Sequence, residues 1–225
     1  MNVTHPAQLA ILKALIQNSK GRFVDINTLG LTNDHFTFHL KQLLKAKLIE
    51  KEGLYYNLTN VGLEIAGRMS LVEGKFIPQP KVGVALFIQD PVTKKILVGE
   101  RLHDPYKGSL GFYTEKVRLG EPLREACARC LCNETGLSGE FSYKGTLRVL
   151  RRNQGELVTD VLLTYFSVQA LRGTLLVETE QSKNAWMSEA ALRAHPNVLV
   201  DVKKELDLLL ADQPFFLESE VNFTR

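Results

Sequence analysis

Gly120-Glu121-Pro122-Leu123-Arg124-Glu125-Ala126-Cys127-Ala128-Arg129-Cys130-Leu131-Cys132-Asn133-Glu134-Thr135-Gly136-Leu137 is the stretch on which the reading of this chain turns. Proline suits the first turn of a helix, and a glycine just past the last turn ends one in a left-handed conformation. The segment therefore reads as a helix from about Pro122 to Thr135, stopped by Gly136. Within it, residues 130, 133 and 134 stand at i, i+3 and i+4 and share one face. That face carries the thiol of Cys130, the amide of Asn133 and the carboxylate of Glu134.

The spacing resembles the Nudix box, G-x5-E-x7-R-E-U-x-E-E-x-G-U, where U is a bulky aliphatic residue. Glu121, Arg129, Leu131, Glu134, Gly136 and Leu137 match in register, whereas Glu115 replaces the opening glycine, Cys130 the first helix glutamate and Asn133 the second. The resemblance implies a pyrophosphate hydrolase in which Mg2+ neutralises phosphates and activates water, and Mg2+ wants hard oxygen ligands. Here the frame (Gly120, Glu121, Arg129, Gly136) is present and most of the ligands are not. In the family the glutamate at position 121 pairs with the arginine at 129. Glu134 alone makes a weak magnesium site. A catalytic set, if the chain is active, would be Glu134, Glu121 and Glu115, the last of these either replacing a lost ligand or standing in a solvent-facing loop.

With 225 residues and 44% hydrophobic content, the chain has material for two cores and no more. No apolar stretch approaches the roughly 20 residues of a membrane span, and the start lacks a basic region before its apolar segment, so a cytoplasmic protein without a membrane partner is expected. The three cysteines, Cys127, Cys130 and Cys132, crowd onto one helix and cannot staple distant parts of a fold. Core packing is the better account of them than a soft-metal or redox pair. Residues 1 to 75 hold nine Lys and Arg against six acids, and the remainder is balanced, so the net charge of +3 belongs to the N-terminal segment. An excess of that size is modest evidence for a nucleic-acid partner.

Pattern is stronger evidence. Leu9, Leu12, Leu15 and Ile16 give a helix over about 6 to 18, and Asn33 reads as the cap of a second helix to about Ala46 with Phe36, Leu40, Leu43 and Leu44 inward. Two short strands follow about Gly53, then helical periodicity from Val61 to about Leu71. That order, with the stretch Leu31 to Leu43, resembles a winged helix-turn-helix over residues 1 to about 75. On the second helix His35, Phe38, Gln42 and Lys45 point away from the core with Thr37 and Lys41 at the flanks. Gln42 and Lys45 offer hydrogen bonds to bases or phosphates, and Phe38 a contact for a thymine methyl. The alternative is that Phe38 packs on a dimer partner.

Pro78 and Pro80 favour an extended linker over 76 to 80. From Lys81 to residue 212 the pattern is mixed: strands at Val82 to Ile88, Lys95 to Arg101, Phe141 to Val149 and Val158 to Val168, and helices at about 122 to 135, 188 to 194 and 200 to 210. The expected fold is therefore α+β and α/β, an N-terminal winged helix-turn-helix joined to a Nudix-type α/β/α sandwich with a mixed sheet. The tail from Gln213 to Arg225 carries no assignment.

The expected function is a transcription regulator. Its winged helix binds double-stranded DNA as a homodimer, and its worn Nudix domain binds a nucleotide-derived small molecule, with no cofactor required. The competing expectation is a hydrolase of nucleoside diphosphate derivatives that uses Mg2+ in a site rebuilt from Glu115, Glu121 and Glu134.

Overall fold

In the computed structural model, which describes residues 5–104, 106–211 and 213–223, chain contacts divide the molecule into two units, Met1–Pro78 and Gln79–Arg225. The first begins with α1 (Pro6–Asn18), whose N-terminus is capped by His5 Nδ1 accepting from the Ala7 amide. There follow β1 (Lys20–Arg22), α2 (Phe23–Ile26), α3 (Asn33–Lys45), β2 (Ile49–Glu52), β3 (Tyr55–Leu58), α4 (Asn60–Ala66), β4 (Met69–Ser70) and β5 (Lys75–Phe76). The strands β1, β3 and β2 form one antiparallel sheet in that order.

The inward faces meet as periodicity requires. Ile11, Leu12 and Leu15 of α1 pack with Phe36, Leu40 and Leu43 of α3, and Leu48, Ile49 and Tyr56 close the cluster. Several local expectations are corrected. Thr32, not Asn33, is the cap residue of α3, and it makes no side-chain capping bond. The helix expected to reach Leu71 stops at Ala66, because Gly67 caps it and Met69 then pairs with Phe76. Phe76 is consequently no part of a linker: it packs against the core of the first unit.

The second unit contains β6 (Lys81–Ile88), β7 (Ile96–Arg101), β8 (Leu110–Gly111), β9 (Tyr113–Lys116), α5 (Leu123–Thr135), β10 (Ser138–Asn153), β11 (Glu156–Arg172), β12 (Ser182–Met187), α6 (Glu189–Ala194), α7 (Val200–Leu210) and β13 (Phe215–Phe223). A five-stranded mixed sheet runs β13-β10-β11-β6-β9, and a smaller one runs β12-β7-β8. The continuous apolar run of β6 marks a strand covered on both faces. Val84, Leu86 and Ile88 join Ala126, Cys127, Cys130 and Leu131 of α5, while Ala85 and Phe87 join Leu192 of α6 and Leu206 and Leu209 of α7.

The long strands β10 and β11 meet at a tight turn where Gln154 and Gly155 both have positive φ, the geometry that matches hairpin twist. Within the unassigned tail, Phe215–Phe223 form a strand. β13 pairs in parallel with β10 from Gly145 to Asn153, with Phe215 buried in the core and Phe216 70% exposed. Neither β12 nor the short strands β8 and β9 was expected. Among the described residues no helix is long and apolar enough to cross a membrane.

Candidate functional site

The helix α5 is placed by the residues that frame it. Gly136 takes φ 72° as the left-handed cap, and its amide donates to Cys132 O. From the middle of the helix Arg129 acts as a stitch. Its Nε donates to Glu121 Oε1 and its Nη2 to Glu121 Oε2, both at 2.8 Å, and Nη2 also donates to the Lys116 carbonyl at 2.8 Å. Nη1 pairs with Glu115 Oε2 at 2.9 Å. One guanidinium thus ties α5 to β9 and to the loop between them. The Arg129 bonds and the Arg118 amide hold the Glu121 carboxyl down at about 2.

Glu115 is therefore not a solvent-facing loop residue: it stands on β9, engaged by Arg129. The three carboxylates do not converge. Glu121 has both oxygens committed to Arg129 and Arg118, and among the described residues no group of three or more His, Cys, Asp or Glu is arranged to hold a metal. Cys130 is fully buried, and desolvation pushes its thiol well above the usual range, with the neighbouring charges of Glu134 and Glu115 adding to that. A neutral buried thiol is a poor ligand for a hard cation. Asn133 is exposed. The donor set does not fit Mg2+.

Cys127 is also buried, its thiol pushed up to about 12 by desolvation. Cys132 departs from the core-packing expectation, for it faces solvent.

Glu134 is held from behind. Ser182 Oγ donates to its Oε2 at 2.9 Å, and Asn184 Nδ2 donates to its backbone carbonyl at 2.6 Å and to Leu176 O at 2.8 Å. Tyr113 OH donates to Asn184 Oδ1 at 2.9 Å. Burial raises the carboxyl of Glu134; the Ser182 bond and the charge of Arg101 pull it back, and Glu115 raises it further.

Asn133, Glu134 and Glu115 line a cleft of about 730 Å³ within the second unit. Its cations come from separate elements: Lys81 opens β6, Arg101 ends β7, Lys116 ends β9 and Arg151 lies on β10. Arg151 stands 5.3 Å over the ring of Tyr106, another wall residue. None of these cations was singled out from sequence, nor were Ser182 and Asn184. Their only signal was alternation in strands, which marks a face but not a neighbour.

In the first unit, His35, Phe38, Lys41 and Lys45 are exposed on α3, whereas Thr37 and Gln42 are half-buried. Phe38 leaves 57% of its surface open. His39, on the same helix, stacks on His5 at 4.1 Å, and its ring is held below the usual value by burial and by the charges of His5 and His35.

No family model and no curated protein sequence matches the chain. Solved structures do. The MutT protein from Bacillus halodurans aligns at TM-score 0.53 and 19% identity, over 64% of this chain and 90% of its own. A MutT NUDIX hydrolase from Burkholderia pseudomallei aligns at 0.49 and 21%, over 60% and 100%. The NUDIX domain of Shewanella oneidensis NrtR, solved with ADP ribose, aligns at 0.49 and 15%, over 67% and 96%. The first of these shows the fold: a Nudix-type α/β/α sandwich built on a mixed sheet. Fold alone does not carry activity.

Proposed function

We propose that the chain is a DNA-binding regulator whose C-terminal domain binds a nucleoside diphosphate derivative without efficient hydrolysis. The observation that carries this reading is the cleft. Its volume of about 730 Å³ falls in the range of small-ligand sites, and Lys81, Arg101, Lys116 and Arg151 supply cationic groups for phosphate oxygens, set among the carboxylates of Glu115, Glu134, Glu180 and Glu205. Beside them the box helix supplies one carboxylate where metal-assisted hydrolysis needs several.

For the first domain, the helix, strand, two helices and hairpin, with strand order β1-β3-β2, support the winged-helix reading. The exposed face of α3 (His35, Phe38, Lys41, Lys45) suits a major groove, with Thr37 and Gln42 at its margins. A homodimer would present two such helices to a palindromic site. Fluorescence anisotropy with labelled duplexes, with and without ADP-ribose, tests the whole reading. Binding that weakens steeply with salt and responds to the nucleotide supports it; no duplex binding at low salt defeats it.

One observation favours the hydrolase reading: Glu115 and Glu134 line the same cleft. Metal-dependent turnover by the wild type that disappears in Glu134→Gln would establish that reading instead.

A further inference from the structure

We propose that His5 and His39 form a pH-sensitive latch, closed at neutral pH and opened by acid, that holds the start of α1 against α3. The latch lies within the first unit and holds whether or not α3 meets DNA.

His5 and His39 stack with ring centroids 4.1 Å apart and planes 27° from parallel, so the cap residue of α1 lies flat on a side chain of α3. Two neutral imidazoles can share such a stack, whereas two imidazoliums repel at that distance. Each ring also has its own reason to stay neutral. His5 Nδ1 accepts from the Ala7 amide at 3.2 Å, and an acceptor nitrogen carries no proton. A proton there turns the acceptor into a donor aimed at another donor, removes the cap, and sets a positive charge at the positive end of the helix. His39 Nδ1 is sealed from solvent and meets no partner among the described residues. Imidazolium carries an N–H on both ring nitrogens, so charging His39 leaves a buried donor unpaired on an ion.

The surroundings offer the proton no compensation. The charges that act on His39 are those of His5, from the start of α1, and of His35, one turn earlier on α3, both of the same sign as its own; no carboxylate is among them. Burial acts in the same direction and more strongly, so the ring is held below the ordinary 6.5. A base held down in this way costs nothing above 6.5, where it is neutral in both the folded and the unfolded chain. Below 6.5 the unfolded chain takes up the proton first, and native stability falls as pH drops toward the folded value. His39 also meets the ring of Phe38 edge-on at 5.3 Å, so the latch reaches the exposed side of α3.

Histidine titrations of the full chain by nuclear magnetic resonance, from pH 8 to pH 5, read this directly. His39 should titrate below 6.5 and move up toward it in His5→Ser, which keeps a capping oxygen and removes the ring. His5 is exposed, so that change leaves the core intact. His35→Gln should move the His39 midpoint less, since His5 acts on it more strongly. Opening is read at the Ala7 amide: corrected for its intrinsic rate, its exchange should quicken about threefold or more between pH 7 and pH 5.5 in the wild type and hold steady in His5→Ser. A His39 midpoint at or above 6.5, one that His5→Ser leaves unchanged, or an Ala7 amide whose corrected exchange ignores pH overturns the inference. With no duplex present, none of these outcomes bears on the regulator reading.

Discussion

Ser182 Oγ donates to Glu134 Oε2 at 2.9 Å, so the carboxylate that α5 contributes to the cleft is anchored to β12. Ser182 is itself buried and also lies 3.1 Å from Asn184 Oδ1. Ser182→Ala should therefore cost about 1–3 kcal/mol, the range for leaving buried polar partners unsatisfied. Chemical denaturation of the two proteins measures it.

The same carboxyl predicts a pH dependence. Its folded-state value lies above the ordinary 4.5, chiefly through burial. A raised acid binds its proton more tightly when folded, so ionising it opposes folding: its contribution is most favourable below 4.5 and declines as pH rises from 4.5 through the folded value. Glu134→Gln removes that decline. The melting temperature of Glu134→Gln should gain on the wild type between pH 4 and pH 7; a difference independent of pH would refute the assignment.

Glu121 has the opposite sign. Held at about 2 against an ordinary 4.5 by Arg129 and the Arg118 amide, it contributes stability that is fully present above 4.5 and lost as pH falls toward 2. Glu121→Gln should be less stable than wild type at pH 7, and the gap should shrink through that window. Because Arg129 also holds Glu115 and the Lys116 carbonyl, Arg129→Ala should destabilise more than Glu121→Gln at neutral pH.

How much of this was legible in the sequence depends on the range over which the signal acts. The helix α5 and its cap were readable because proline, glycine and box spacing act within a few residues. The α3 face was readable because Phe36, Leu40 and Leu43 repeat at helical period. The tail strand was not: Phe215 to Phe223 becomes a strand by lying against β10, some 70 residues earlier in the chain, and its own alternation is short and interrupted by charges. Arg101 and Ser182 meet Glu134 only because β7 and β12 pair, a relation no local spacing records. Asn33 misled because a good capping residue is not always at the cap: the chain enters the helix one residue earlier, at Thr32.

Gly145 offers a test of the tail. A Cβ there would overlap the ring of Phe215, and the register pairs the two residues directly. Gly145→Ala should cost about 1–3 kcal/mol as an overpacking change and should raise hydrogen exchange along Phe215–Phe223. Exchange in α3 of the first unit should be unaffected.

The DNA proposal divides by residue. Lys41 and Lys45 are exposed cations on α3, so Lys41→Ala and Lys45→Ala should weaken all duplexes together and each lower the salt slope by about 1. Gln42, half-buried at the margin of the same face, carries amide groups, so Gln42→Ala should change sequence preference at one base step by about 1–3 kcal/mol. Competition titrations over a randomised duplex pool separate the two behaviours.

Adding carboxylates to α5 should not by itself build a metal site. Asn133 is exposed and will accept a glutamate, but Cys130 is fully sealed in the core with Val84, Leu86 and Leu131. A carboxylate placed there loses its water, and it stands beside Glu134 and Glu115, whose charges already raise the Cys130 thiol; the cation acting on that position, Arg129, is engaged with Glu121 and Glu115. Cys130→Glu with Asn133→Glu should therefore be destabilised by about 3–5 kcal/mol in EDTA, the range for an uncompensated buried charge. Should Mg2+ enter the enlarged carboxylate set, it would return part of that stability by binding the folded form alone. Thermal melts of the double variant in EDTA and in Mg2+ test both halves: a variant as stable as wild type in EDTA contradicts the burial of Cys130, and a melting temperature that Mg2+ does not move shows that the added carboxylates do not complete a metal site.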